Sequence, residues 1–498
     1  AAVPALAAAL DDPRPDVRRR AAQVLWRAGP LTTELVAPLL EPLSRALASE
    51  DAVLRAGAAA VFVNQGPMAR AAVPALVKAA ADEDRDVRLW AVQALGSVDA
   101  DAAIDALVPA MKDPDPAVRA AAALSAGSAF VKGEKAVEGL VASLADDVQD
   151  VRVAGAGGLW ALARPASVPA LLPATKDANA QVATSSLHAL GAIGDPAGCD
   201  ALLSGLKDDR PEVRTAAAYA LGGMDAAIDR VMPALLETLK HAESGMRSSA
   251  ASALGRLGPG AAPAAPALAV ALADESESVR MMASSSLIDL AGPGQIDALV
   301  RALKDPSANV ANYAAQTLGR IGPAARSALP ALDAALPDAD ASTATAVLLA
   351  IGHIGGGDAA LARRIRDERP RLSGYPAAQA LFAIASVEPD AEKRDEAVGE
   401  LVALLDDEGI ASQHVLFLLG SLEGEAATAV PALRKRLEVE RDRAAAAIAL
   451  IQIEGSAGAM EIVAAEIRKG NAFAASWLTY LGEAARPLAP ALREALLF

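Results

Sequence analysis

KDDRPEVRTAAAYALG, residues Lys207 to Gly222, decides the fold, because the same unit returns along most of the 498-residue chain. Apolar residues stand at Val213, Ala217 and Leu221, four apart, which is one stripe of an α-helix. Gly222 follows directly and is expected to end that helix. Upstream lies a turn rich in Asp and Pro, and upstream of that a second apolar segment. Aligning each copy on its Val-Arg-like pair places anchors at Val17, Leu54, Val87, Val118, Val151, Val182, Val213, Met246, Val279, Val310 and Thr343. Successive anchors are 31 to 37 residues apart, the range of stacked two-helix repeats.

The segment before each turn reads Val-Pro-Ala-Leu in its clearest copies, at Val3 to Leu6, Val73 to Leu76, Val168 to Leu171 and Val430 to Leu433. Proline fits a helix only in the first turn, where its missing N–H is not needed. Each unit is therefore expected to be a first helix, an Asp/Pro turn, a second helix and a Gly-containing link. Regularity holds to about Gly322. Residues 1–322 are read as regular repeats and 323–498 as divergent ones continuing the same array, about fifteen in all. A last helix, Pro487 to Phe498, has no second helix after it.

Composition agrees with an all-α array. The chain is 53% hydrophobic but only 3% aromatic, and alanine supplies the difference, so small and aliphatic side chains build the core. A formal charge of −16 disfavours phosphate backbones as the main ligand. The single Cys199 excludes an internal disulfide and any Cys-based metal cluster. No apolar run approaches the roughly 20 residues that cross a bilayer, and a cytoplasmic location is slightly favoured. The chain begins without Met inside a helical pattern and ends on Leu496-Leu497-Phe498. Trimmed ends are expected, with that apolar terminus continued or covered by a partner.

The stretches Asp11 to Gly29 (DDPRPDVRRRAAQVLWRAG), Lys112 to Gly127 (KDPDPAVRAAAALSAG) and Lys207 to Gly222 resemble the HEAT repeat, in particular the short bacterial variety called phycobilisome-lyase HEAT-like repeats. The resemblance implies an all-α, right-handed α-solenoid in which the second helices line the concave surface.

Repetition also sorts the charged residues. An acid precedes the anchor by five at Asp12, Asp82, Asp113, Asp146, Asp177, Asp208, Asp274, Asp305 and Asp338. An arginine follows it by one at Arg18, Arg55, Arg88, Arg119, Arg152, Arg214, Arg247 and Arg280. A feature of nearly every repeat serves something every repeat needs, so these are expected to form a structural ladder bonding turns and neighbouring repeats. His188, His241, His353 and His414 stand far apart, and none is followed by Glu as in HEAT-like iron hydroxylases. No metal or other cofactor is therefore expected. Cys199 is expected to pack within a helix rather than act as a nucleophile. The glycine clusters Gly258-Pro-Gly260, Gly292-Pro-Gly294 and Gly355-Gly356-Gly357 sit at links and lack a following Gly-Lys-Ser/Thr, so they read as turns.

Positions two, three and six after the anchor vary. With zero, four and eight in the core, these three project away from it. They hold Trp90, Gln93, His188, Tyr219, Met281, Met282, Tyr313, Gln316, His414 and Phe417, the aromatic, Met and amide content of a recognition surface. Trp26 and Trp160 fall where other repeats carry glycine, and are expected to pack between repeats; Trp477 falls at a core-like position. The expected function is a non-enzymatic scaffold holding a protein or peptide partner on the concave face. The alternative implied by the resemblance is a bilin lyase or isomerase-like protein holding a tetrapyrrole or phycobiliprotein.

Overall fold

The computed structural model describes residues 2–99, 101–127, 134–407, 410–469, 471, 481 and 485–491. Trp477, most of the segment after Pro487 and the apolar end Leu496 to Phe498 lie outside them. The described residues contain helices and no strand, and the chain is an all-α solenoid in which helix pairs succeed one another. It divides into two compact units, Ala1–Gly260 and Ala261–Phe498.

The first unit opens with Ala2–Ala9 paired with Pro15–Arg27, and its other second helices are Ala52–Gln65, Arg85–Asp99, Pro116–Ala126, Gln149–Leu162, Ala180–Ile193, Pro211–Ala220 and Ser244–Arg256. Second helices of successive repeats pack on one another, and each also packs on its own first helix. In the second unit the same arrangement runs from Ala265–Ala271 with Glu277–Leu290 to Val430–Arg436 with Arg443–Glu454. The stretch around Arg371 to Val387, hard to place by its sequence, is the second helix Tyr375–Val387 entered through Gly374 at φ 61°.

Each turn is decoded by its own side chains. The Asp five before the anchor accepts from the backbone N–H two residues on, as Asp113 does from Asp115 at 2.9 Å. Where the residue three before the anchor is Asp or Asn, at Asp51, Asp84, Asp115, Asn179 and Asp340, it caps the second helix: Asp115 accepts from the N–H groups of Ala117 and Val118 at 2.8 and 3.4 Å, with Pro116 opening the helix. The anchor plunges inward, and Val118, Ala122 and Ala126 are fully buried. Burying a valine or leucine this way stabilises by about 1.5–3 kcal/mol relative to exposure.

Glycine divides its work differently from the sequence expectation. Gly222, nine after its anchor, does not end its helix through a left-handed conformation. It allows close approach, since a Cβ there would fall 2.7 Å from Cα of Ala253 in the next second helix. The left-handed residue comes three later, as at Gly194, φ 70°.

The arginine one after the anchor ties turns together. Arg88 Nη1 donates to the carbonyls of Asp82 and Glu83, both at 3.0 Å, closing its own turn. Its Nε and Nη2 grip Asp113 of the following repeat at 2.7 and 3.0 Å. The same geometry joins Arg55 to Asp82, Arg119 to Asp146, Arg152 to Asp177 and, in the second unit, Arg280 to Asp305. Asp274 accepts from the N–H of Ser276, and its carbonyl accepts from Arg280. Where the sixth repeat has Ala183 in place of arginine, Asp208 is gripped by Arg210 of its own turn at 2.8 and 3.0 Å. Asp12 is held likewise by Arg14, which keeps its carboxyl at about 2. Arg214 finds His241 where the next Asp would be and pairs with Glu243 instead. His241 Nδ1 fills the missing carboxylate's other role, accepting from the N–H of Glu243 at 3.1 Å.

These pairs predict an acid response. A hydrogen bond from Arg119 chiefly holds the Asp146 carboxyl below its ordinary range, one from Arg210 does so for Asp208, and one from Arg19 for Asp51. A carboxyl depressed in the folded state contributes stability that is complete above the unfolded value near ~4 and is lost as pH falls through the folded value. The urea midpoint is therefore expected to hold steady from roughly pH 8 to 6 and to drop between roughly pH 4 and 2. A midpoint that rises on acidification contradicts the ladder's electrostatics.

Candidate functional site

Two aromatic clusters rise from the second helices of the first unit. The larger crosses four successive repeats. Trp160 and His188 have ring centroids 4.9 Å apart, tilted by 33°, and His188 meets Tyr219 edge-on at 5.8 Å. The Arg256 guanidinium lies over the Tyr219 ring, 4.3 Å from its centroid, and Nη1 donates to the Tyr219 carbonyl at 3.0 Å. Trp160 is 46% exposed and Tyr219 42%, so the column presents open ring surface to solvent. Burial first, and the charge of Arg256 second, push the His188 imidazole below its usual value, which keeps it neutral near pH 7.

The smaller cluster joins Trp26 to Trp90, edge to face at 5.9 Å. Trp26 belongs to the first repeat and Trp90 to the third, so the indoles reach past the second helix of the repeat between them. That helix carries Ala56, Gly57 and Ala60 at the three variable positions, and their small size leaves a hollow of about 420 Å³. Trp26 and Trp90 wall it, with Asp16, Arg19, Arg20, Gln23 and Val53 around the rim.

Trp26 and Trp160 pack between repeats, as expected, each against a ring carried by another repeat, and they do so on the open side of the helices. Trp26 keeps 40% and Trp160 46% of its surface exposed, and both belong to these clusters. The physical reason is helical spacing: nine after the anchor lies three after position six, hence on the same side of the helix. Applying that spacing to the sequence would have found them. Arg256, ten after its anchor, joins the face by the same rule.

The other expected surface residues lie where the helix pattern puts them. Gln93 is half-buried beside Trp90 on Arg85–Asp99. In the second unit Met281 and Met282 are half-buried, Tyr313 is half-buried and Gln316 exposed on Ala308–Ile321. His414 meets the Tyr375 ring edge-on at 4.9 Å and lies 2.7 Å from Gln379 Nε2, with Phe417 half-buried one turn on. Tyr375, 44% exposed, was not singled out by sequence because its repeat was out of register there.

The buried Cys199 thiol is pushed up by burial, which leaves little thiolate to act as a nucleophile. Among the described residues no group of three or more His, Cys, Asp or Glu side chains is arranged to hold a metal ion, and no helix is long and apolar enough to cross a membrane.

A family model described as HEAT repeats matches residues 73–159, 137–222, 199–288 and 232–311. No curated protein matches the chain. Among solved structures it is similar to importin beta in an ammonium sulfate condition, with a TM-score of 0.60 at 15% identity, over 99% of this chain and 76% of that one. Yeast importin-beta (Kap95p) aligns with a TM-score of 0.56 at 16% identity, over 98% and 73%. The karyopherin Kap121p bound to the extreme C-terminus of the protein phosphatase Cdc14p aligns with a TM-score of 0.52 at 13% identity, over 99% and 69%. At these identities the likeness is one of fold.

Proposed function

We propose that this chain, a HEAT-repeat protein, is a non-enzymatic interaction scaffold that holds a protein or peptide partner on the concave face of its second helices. The observation that carries the reading is the column of Trp160, His188, Tyr219 and Arg256, which leaves ring faces open to solvent in a chain that is only 3% aromatic. Exposed Trp, Tyr and Arg on a rigid helical platform are the residues that dominate binding energy where proteins meet. The solved structure of a like-folded karyopherin with another protein's C-terminus is consistent with this use of the fold. The ladder serves the platform, since it fixes each turn to the next and so sets the spacing of the rings.

The test is capture from the native source, followed by mass spectrometry, with the intact chain and with a Trp160→Ala, Tyr219→Ala double variant. The variant is expected to keep its helical circular dichroism while losing the specific partner, since anchor residues of this kind are each worth on the order of 2 kcal/mol. Undiminished capture of the same partner would remove the column from the binding surface.

A further inference from the structure

The hollow between the first and third repeats points to the chemistry of what it takes. Its floor is set by close helix packing: a Cβ on Gly57 would fall 3.2 Å from Cβ of Ala22 on the neighbouring second helix Pro15–Arg27, which also carries Arg20 and Trp26. A floor of alanine and glycine beside a pair of indoles in mutual edge-to-face contact accepts a bulky apolar side chain and buries it against the pair's exposed ring surface.

The rim supplies a charge. Arg19 is already engaged, with Nε 2.6 Å from Asp51 and Nη1 3.6 Å from Asp16. Arg20 donates to the neutral Gln23 Oε1 at 2.8 Å and has no carboxylate partner among the described residues. This exposed guanidinium beside an apolar slot is locally complementary to an anion brought by the ligand.

We propose that the hollow binds a peptide segment in which a bulky apolar side chain stands next to a carboxylate, the apolar group over Ala56 and Gly57 beside the Trp26–Trp90 pair and the carboxylate on Arg20. This rests on the scaffold reading and adds a particular pocket and a ligand class to it.

The probes are fluorescein-labelled ten-residue Gly/Ser peptides carrying a central Phe-Glu-Glu, Phe-Lys-Lys or Ala-Glu-Glu, followed by anisotropy with the whole chain. Phe-Glu-Glu is expected to bind about tenfold tighter than either control. Arg20→Glu should shift the preference to Phe-Lys-Lys. Ala56→Leu, which fills the floor, should abolish binding while leaving the melting curve in place. Equal binding of Phe-Glu-Glu and Phe-Lys-Lys, undiminished binding to Ala56→Leu, or no binding of any peptide overturns the proposal. Because Trp160 and Tyr219 lie outside the hollow, loss of partner capture in their double variant together with silent peptides overturns the pocket alone and leaves the scaffold reading standing.

Discussion

Arg88→Ala is expected to destabilise the first unit by about 2–4 kcal/mol, one of the largest single effects available in this chain. The substitution removes four hydrogen bonds at once, two to the carbonyls of its own turn and two to Asp113. It also leaves the Asp113 carboxylate, 7% exposed, without its cation. In a repeat array the loss is felt locally, because each repeat is stabilised chiefly by its neighbours. Hydrogen exchange should therefore accelerate in the third and fourth repeats before it does elsewhere in the unit. Arg214→Ala provides the internal comparison. Its partner Glu243 is 43% exposed and is held through one nitrogen, so the pair is worth only what a surface pair is worth, about 0–1 kcal/mol. Equal losses in the two variants would mean that the interrepeat carboxylate contributes nothing and that the turn carbonyls account for the whole effect.

Gly191→Leu is expected to cost about 3 kcal/mol or more. A Cβ at this position would lie 2.4 Å from the carbonyl oxygen and 2.8 Å from Cα of Ala220. No rotamer change relieves a clash with backbone, so the sixth and seventh second helices must separate. Gly157→Ala, also within a second helix but with nothing within 4 Å of the added carbon, is expected to gain about 0.5–1 kcal/mol from helix propensity. Thermal melts of the two variants read the contrast directly. If Gly191→Leu melts with the unaltered protein, the close approach of those helices does not exist in solution.

The difference between these glycines shows what was legible in the sequence and what was not. Val213, Ala217 and Leu221 are fully buried, as their spacing requires, because helical periodicity is a property of one segment alone. The glycine nine after the anchor looks like a helix end when read alone; its role depends on the neighbouring backbone, which a single repeat does not display. Trp26 and Trp160 share that slot and pack against rings of other repeats as expected, but their exposure follows from spacing, since three residues beyond position six lies on the open face. The ladder residues were visible as two columns, but their direction, from each arginine to the following repeat's aspartate, was not. Arg210 could have been read: it stands three before its anchor, in a turn whose aspartate has Ala183 rather than arginine in the repeat before it.

The aromatic column also makes the chain its own optical gauge. Its rings belong to three successive repeats, so bending between the fifth and seventh second helices must alter ring separations that rest at 4.9 and 5.8 Å. Indole emission is sensitive to an adjacent imidazole, and Trp160 faces His188 directly. A partner that changes the curvature of this segment would announce itself in the fluorescence of Trp160 without any label, and strain along the array would be read as a change of colour or intensity at one tryptophan.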